Sequence, residues 1–188
     1  MFLKDISFII PVYNRPDEID ELLNSFLKLN GSKDFEIVII EDGSTTRCEN
    51  ILTKYKSLNI SYHYKENSGP GDSRNFGMSI AKGNYFIILD SDCILPKNYS
   101  EVLLYNLSND YSDCFGGIDG SHHTFNSFQK AVSFSMTSFL TTGFIRGGVI
   151  IRIFNQEVLI WEFPNPYLKR QKALAKYILV KIQTYPFV

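Results

Sequence analysis

Short apolar runs alternate along the chain with segments in which apolar residues recur three and four positions apart. The runs at 6–10, 35–40 and 84–89 are almost uninterrupted, whereas the run at 60–64 alternates between faces. Uninterrupted runs of this length are typical of strands buried on both faces, and alternation is typical of a strand buried on one face. The pattern therefore predicts four strands.

Helical segments separate the predicted strands. Pro16 and Asp17 open the first helix, whose apolar residues keep helical spacing until Asn30 and Gly31 end it. Strands that alternate with helices favour right-handed crossovers, so we predict an α/β fold: a mostly parallel central sheet with helices on both faces, Rossmann-like in organisation. The other predicted elements are helices over about 46–57, from 68–71 to about Ala81 and over about 97–107, a further strand over 113–118, and an apolar helix or loop over 125–139.

Polar residues follow three of the predicted strands at the point where each strand ends. In open α/β sheets, ligands bind beyond the carboxyl ends of the strands. We therefore expect these residues to share one pocket. They are Pro11, Tyr13 and Asn14 after the first strand, Asp42 and Gly43 after the second, and Asp90, Ser91 and Asp92 after the fourth.

The Asp-x-Asp motif at the end of the fourth strand is the most informative of these groups. Strand side chains alternate between faces, so Asp90 and Asp92 point the same way. Two oxygen donors side by side suit Mg²⁺ or Mn²⁺ that is held together with substrate phosphates. On its own, an Asp-x-Asp motif is also compatible with a solvated turn.

Asp42 and Arg74 add candidates for nucleotide recognition. Asp42 can accept hydrogen bonds from a base or from ribose hydroxyls, and Gly43 allows close approach to the backbone, although Asp-Gly also occurs in plain turns. The Gly/Pro loop at 67–71 leads into a helix and exposes backbone N–H groups. Arg74 follows on that helix and suits a phosphate or base, or else a salt bridge to Asp42 or Asp90.

Composition narrows the function classes. The 188 residues suffice for one domain of ordinary size, and a formal net charge of −1 indicates no nucleic-acid partner. Three widely spaced cysteines form no zinc pattern and fit a reducing compartment. We found neither a signal-peptide pattern nor an apolar run of about 20 residues, so we expect a cytoplasmic protein and leave a peripheral membrane contact open.

Taken together, four segments resemble the motifs of the family 2 glycosyltransferases, in order and in spacing, over about 5–147. The resemblance implies the A-type, nucleotide-diphospho-sugar transferase fold. It also implies an inverting, metal-dependent transfer of a sugar from a nucleotide-diphospho-sugar to an acceptor hydroxyl, with Mg²⁺ or Mn²⁺ as cofactor. The implied acceptor is a saccharide or is lipid-linked, as in polysaccharide biosynthesis. The segments are Ser7–Asn14, Ile39–Ser44, Asn67–Asn75 and Leu89–Asp92.

The resemblance also assigns roles to residues of this chain. Arg74 corresponds to the helix arginine near base and phosphate, Asp90 to a residue that touches ribose or metal-bound water, and Asp92 to the metal ligand. Ser91 is counted with the nucleotide-sugar-binding residues. The general base that inversion requires has no match in this sequence, so no catalytic residue is assigned. The nucleoside-binding positions implied by the resemblance are Pro11, Tyr13, Asn14 and Asp42.

The C-terminal part departs from the family. After Gly148 the resemblance ends, so we divide the chain into a nucleotide-sugar-binding domain at 1–147 and an atypical segment at 148–188. We interpret this segment as truncated and read in a shifted frame. Codons built from the third base of one codon and the first two of the next can spell P-R-S-F-N-M from Asn155 and F-G-E-D-T-D-L-S from Ile178. Both strings resemble late family motifs, and the second contains an acidic pair.

Other function classes were weighed against transfer. A truncated or degenerate donor-binding module without turnover stays open as the alternative. A nucleotidyltransferase should carry a basic, glycine-rich loop after the first strand, where this sequence has Tyr13 and Asn14. Dinucleotide dehydrogenases and P-loop enzymes would carry glycine-rich fingerprints at the same place, and neither pattern occurs there.

Overall fold

Parallel strands form one central sheet. The structure is a computed structural model that describes residues 2–31, 33–111, 126–137 and 176–179. Within these ranges the strand order is β3-β2-β1-β4-β5, and every neighbouring pair is parallel. The strands are β1 (Ile6–Val12), β2 (Glu36–Asp42), β3 (Ile60–Lys65), β4 (Tyr85–Ile88) and β5 (Lys176–Leu179).

Helices connect the strands and cover the sheet. A short 3₁₀ turn at Leu3–Asp5 precedes β1, and another at Thr53–Tyr55 continues α2. None of the helices in the described ranges is long and apolar enough to cross a membrane. The helices are α1 (Pro16–Leu27), α2 (Glu49–Leu52), α3 (Pro70–Ile80), α4 (Tyr99–Asn109) and α5 (Ser127–Thr137).

Both faces of the sheet are buried at β1, β2 and β4, which is why these strands are mostly apolar. Phe8 of β1 packs on one face within a cluster that includes residues of α1 and α4. Ile9, the next residue, belongs to a second cluster that includes Met78 of α3. At Gly77 of α3 an added Cβ would lie 2.5 Å from Cγ2 of Ile9, so glycine permits this close approach. The predicted parallel sheet with helices on both faces is confirmed.

Some predicted elements differ in extent. The helix expected over 46–57 is reduced to α2 and its 3₁₀ turn. The residues just before α2 are held in a loop, because the N–H of Thr46 donates to Asn14 Oδ1 and the N–H of Cys48 donates to Glu41 Oε2. The strand predicted at 113–118 lies outside the described residues, and the described part of the predicted helix or loop at 125–139 contains the helix α5. The apolar pattern does not predict β5, whose four residues are too few to show a period.

Candidate functional site

A cavity of about 400 Å³ opens at the carboxyl ends of β1, β2 and β4. The chain runs from β1 outward to β2 and β3 and then returns to place β4 on the other side of β1. The cavity therefore lies where the strand order reverses, which is the usual ligand site of an open α/β sheet. Of the residues expected to share this pocket, all except Asn14 and Gly43 line it. The lining residues are Pro11, Val12, Tyr13, Arg15, Glu18, Asp42, Pro70, Arg74, Asp90, Ser91 and Asp92.

Asp42 is the most firmly held residue of the cavity. Its side chain is 5% exposed and forms an ion pair with Lys65 Nζ. The backbone N–H groups of Ser68 and Gly69 donate to its two oxygens at 3.0 and 2.9 Å. Burial raises the pKa of this carboxyl, but the hydrogen bonds and the charge of Lys65 outweigh it, so the pKa is lowered overall. Asp42 is thus a fixed negative charge at neutral pH.

The same bonds change the interpretation of the loop before α3. The sequence indicated backbone N–H groups free to meet a phosphate at 67–71. In the structure, the N–H groups of Ser68 and Gly69 bind the carboxylate of Asp42 instead. This loop therefore shapes the wall of the cavity around Asp42.

Gly43 lets the loops after β2 and β3 meet. Its φ is +71°, and an added Cβ would lie 2.6 Å from the backbone N of Asn67. The side-chain amide of Asn67 donates a hydrogen bond to the backbone carbonyl oxygen of Asp42 at 3.0 Å. A side chain at position 43 would therefore meet both an unfavourable backbone conformation and a backbone atom.

Asn14 organises the loop that follows β1 and does not line the cavity. It adopts a left-handed conformation with φ 54°, which asparagine tolerates better than most residues. Its side-chain Oδ1 accepts hydrogen bonds from the N–H groups of Thr45 and Thr46 at 2.8 and 3.0 Å. Its own N–H donates to Ser44 Oγ at 2.8 Å. Asn14 thus ties the end of β1 to the loop after β2.

Arg74 and Asp90 form an ion pair inside the cavity. Arg74 Nη2 lies 2.8 Å from Asp90 Oδ1, and the two side chains are 28% and 37% exposed. The alternative of a salt bridge from Arg74 to Asp90 is therefore the arrangement observed. Arg74 Nε is buried and has no hydrogen-bond partner within the described part of the chain, which leaves this donor available at the cavity wall.

Asp92 differs from the other acids of the cavity. It is exposed and forms no ion pair among residues 2–31, 33–111, 126–137 and 176–179. The charges of Asp42, Asp90 and Glu18 are each offset by a nearby Lys or Arg. Negative charge without a protein counter-ion is thus concentrated at Asp92.

These motifs and their placement agree with a comparison against known families. A sequence model described as glycosyl transferase family 2 matches residues 7–178. The chain belongs to glycosyl transferase family 2. The family predicted from the sequence motifs is confirmed, and the match continues past Gly148 into the C-terminal segment.

Curated relatives in this family include enzymes named for poly(ribitol-phosphate). A beta-glucosyltransferase of Bacillus spizizenii is 39% identical over 110 residues, which are 55% of this chain and 17% of that protein. The beta-N-acetylglucosaminyltransferase TarS of Staphylococcus aureus is 37% identical over 121 residues, 56% of this chain and 21% of that protein. The chain therefore matches about a fifth or less of the length of these relatives.

Solved structures show the same fold. S. aureus TarS 1-349 in complex with UDP has a TM-score of 0.57 and 29% identity, over 65% of this chain and 38% of that one. The complex of TarS 1-349 with UDP-GlcNAc has a TM-score of 0.58 and 30% identity, over 65% of this chain and 37% of that one. The predicted Rossmann-like, nucleotide-diphospho-sugar transferase fold is thereby confirmed.

Sequence reasoning missed several residues of this family 2 site. Arg15 and Glu18 line the cavity, and Lys65 holds Asp42 from the end of β3. Glu18 lies in the first turn of α1, where an acid is expected simply because it suits the positive end of the helix. Lys65 follows an alternating strand and carries no motif of its own. The only available signal was its place at a strand end.

Proposed function

We propose that this chain is a glycosyltransferase that binds a nucleotide-diphospho-sugar in the cavity and transfers the sugar, with inversion, to an acceptor hydroxyl. One observation carries the proposal: groups suited to a base, a diphosphate and a cation line a single cavity of about 400 Å³. The TarS complexes with UDP and UDP-GlcNAc support a uridine nucleotide as the first donor to test.

In this proposal the nucleoside lies along the ends of β1 and β2. Asp42 is a fixed hydrogen-bond acceptor for an N–H of the base, because the protein holds its negative charge in place. Pro11 lines the cavity beside it, and Tyr13 is 52% exposed and offers an aromatic surface for the base. Asn14 acts indirectly, since its side chain fixes the loop between these residues and β2.

The diphosphate lies between Arg74 and the acidic turn. The guanidinium of Arg74 suits a phosphate, and its unpaired Nε can donate to a phosphate oxygen. The leaving nucleoside diphosphate gains negative charge as the sugar departs, so a nearby guanidinium stabilises it. Asp90 keeps Arg74 in this place through their 2.8 Å contact. Ser91 adds a hydroxyl at the same wall.

The donor set fits Mg²⁺ or Mn²⁺ shared between protein and phosphate. The described residues contain no group of three or more His, Cys, Asp or Glu placed to hold a metal ion by themselves. Mg²⁺ is usually bound by one or two carboxylates together with substrate phosphates, which this cavity can offer. Asp92 would be the principal ligand, with Asp90 beside it. When bound, the cation supplies positive charge to the leaving diphosphate.

We extend the proposal to acceptor and location. The relatives named for poly(ribitol-phosphate) support an acceptor rich in hydroxyl groups, free as a saccharide or linked to a lipid. A lipid-linked acceptor would bring the chain to a membrane by peripheral contact. Cys48 is a buried thiol that forms no disulfide within the described part of the chain, which supports the reducing environment of the cytoplasm.

Donor binding tests the proposal first. The chain is heated with UDP, UDP-GlcNAc, UDP-glucose or GDP-mannose, each with Mn²⁺ or with EDTA. A donor at about 100 times its dissociation constant should stabilise the fold by about 2.7 kcal/mol. Asp17→Ala is the matched control, because Asp17 is an exposed acid of α1 outside the cavity. Binding of none of these nucleotides would overturn the proposal.

Turnover is measured separately. Donors with a radiolabelled sugar are incubated with the chain, Mn²⁺ and a polyol-phosphate or glycolipid acceptor, and labelled product and free sugar are separated. Transfer supports the glycosyltransferase. Donor binding with neither transfer nor hydrolysis would instead favour the donor-binding module without turnover.

A further inference from the structure

Glu18 joins the first turn of α1 to the acidic turn after β4. Its Oε2 accepts a hydrogen bond from Ser91 Oγ at 2.7 Å, and its Oε1 lies 2.7 Å from Arg15 Nη1. All three residues line the cavity, and the Glu18 side chain is 27% exposed. None of the motifs read from the sequence includes Glu18.

We propose that Glu18 is a positioning residue, which holds the turn containing Asp90, Ser91 and Asp92 so that Asp92 faces the cation and the diphosphate. This inference rests on the function proposed above. Glu18 acts through the Ser91 hydroxyl and makes no contact with the cation or the donor.

The local backbone explains why the turn needs such a contact. The N–H of Leu89 donates to the carbonyl of Ile9 in β1, and the N–H of Leu95 donates to Ser25 Oγ of α1. Between these two points, the N–H of Cys93 closes a turn on the carbonyl of Asp90 at 3.3 Å, and the Asp90 side chain pairs with Arg74 of α3. The bond from Ser91 to Glu18 ties this turn to α1.

Charge is not the property of Glu18 that matters in this arrangement. Its partner Arg15 is 63% exposed, and an exposed ion pair of this kind contributes little. The contact with Ser91 needs only an oxygen that accepts a hydrogen bond. A carboxamide offers such an oxygen at the same distance from the backbone. Gln should therefore replace Glu18, whereas Ala should not.

The test compares Glu18→Ala, Glu18→Gln, Ser91→Ala and the double variant Glu18→Ala/Ser91→Ala. Glu21→Ala is the matched control, because Glu21 is an exposed glutamate of the same helix outside the cavity. Calorimetry measures UDP affinity with Mn²⁺ and with EDTA. Hydrogen exchange measures the protection of the amides at 90–93 in the nucleotide-free chain.

The expected result separates the variants. Glu18→Ala and Ser91→Ala should each weaken UDP binding in Mn²⁺ by about fivefold to tenfold, the usual effect of one lost hydrogen bond. Affinity in EDTA should not change, and the double variant should bind as weakly as either single one. Amides at 90–93 should exchange faster in Glu18→Ala. Glu18→Gln should bind within about twofold of the unsubstituted chain, as should Glu21→Ala.

Two results would overturn the inference. If Glu18→Gln loses as much affinity as Glu18→Ala, the charge of Glu18 acts directly and the residue does not work through Ser91. Unchanged exchange at 90–93 in Glu18→Ala would mean that the turn is held by other contacts. If the unsubstituted chain binds UDP in neither buffer, the proposed function fails, and exchange at 90–93 still decides whether Glu18 holds the turn.

Discussion

Replacing Asp42 by Ala should destabilise the fold before any effect on nucleotide affinity is measured. The Asp42 carboxylate accepts hydrogen bonds from the N–H groups of Ser68 and Gly69 and pairs with Lys65. The Asp42 side chain is 5% exposed and that of Lys65 is 15% exposed. The change therefore leaves a largely buried ammonium with Asp72, 3.7 Å away, as its remaining acidic partner, and two backbone donors without their acceptor.

The magnitude follows from these contacts. Removing one partner of a buried ion pair costs about 3–5 kcal/mol. Because Lys65 keeps 15% of its surface and can also donate to Ser68 Oγ and the carbonyl of Glu66, we expect the lower end of that range, about 3 kcal/mol. This is a large share of a typical unfolding free energy of about 5–15 kcal/mol. Asp42→Asn keeps an acceptor oxygen and should cost about half as much.

Urea unfolding followed by far-ultraviolet circular dichroism measures these free energies. The double-mutant cycle with Lys65→Met isolates the ion pair, since Met retains the aliphatic part of the side chain and removes the charge. We expect a coupling energy of about 1–3 kcal/mol between positions 42 and 65. Asp17→Ala, an exposed acid outside the network, should change stability by less than about 0.5 kcal/mol.

A loss below about 0.5 kcal/mol in Asp42→Ala, with an unchanged urea slope, would refute the structural reasoning. In that case the carboxylate would be solvated and would not hold the loop. Because the expected loss is large, UDP affinity of Asp42 variants must be compared at a temperature where each variant is fully folded. Weaker UDP binding by folded Asp42→Asn would then support Asp42 as the acceptor for the base.

Four further predictions can be tested. Because the pKa of Asp42 is lowered in the folded chain, the stabilisation by its carboxylate is complete above about pH 4, the ordinary pKa of Asp, and is lost as the pH falls through the lower pKa of the folded state. Urea titrations should therefore show the stabilities of Asp42→Asn and of the unsubstituted chain converging in acid. Gly77→Ala should destabilise the fold by about 1–3 kcal/mol in the same assay, because its Cβ would overlap Ile9. Asp92→Ala should abolish the Mn²⁺ dependence of UDP affinity in calorimetry and leave the melting temperature unchanged; equal affinity of the unsubstituted chain in Mn²⁺ and in EDTA would contradict the metal assignment. Sequencing the gene tests the shifted frame proposed for 148–188, which fails if no one-base correction near the codons for 147–151 opens a longer frame with the late motifs.

The sheet could be predicted because a strand that is buried on both faces appears in the sequence as an almost uninterrupted apolar run. Phe8 and Ile9 point to opposite clusters, so β1 must be apolar at both positions. The helix α1 could be predicted as well, since Pro16 begins it and its apolar residues face one hydrophobic cluster. The loop before α2 could not be predicted, because its backbone is bound by the side chains of the distant residues Asn14 and Glu41. No local sequence pattern indicates such contacts.

The cavity likewise contains residues that the sequence could predict and residues that it could not. The residues proposed to bind the donor and the cation lie at the ends of strands, so Asp42, Asp90 and Asp92 could be placed together from the strand pattern alone. Residues that hold these acids come from other elements, and their contacts exist only in the folded chain. Lys65 reaches Asp42 from β3, and Glu18 reaches Ser91 from α1.

Most acids of the cavity are paired with a basic side chain, and Asp92 is the exception in the described ranges. Three acids of the cavity are each offset by a basic residue: Asp42 by Lys65, Asp90 by Arg74, and Glu18 by Arg15 of its own helix. These pairs reduce the attraction of the three acids for a cation. Asp92, which also lines the cavity, forms no such pair in the described ranges. A cation bound with the diphosphate would complete at Asp92 the compensation that the protein supplies elsewhere.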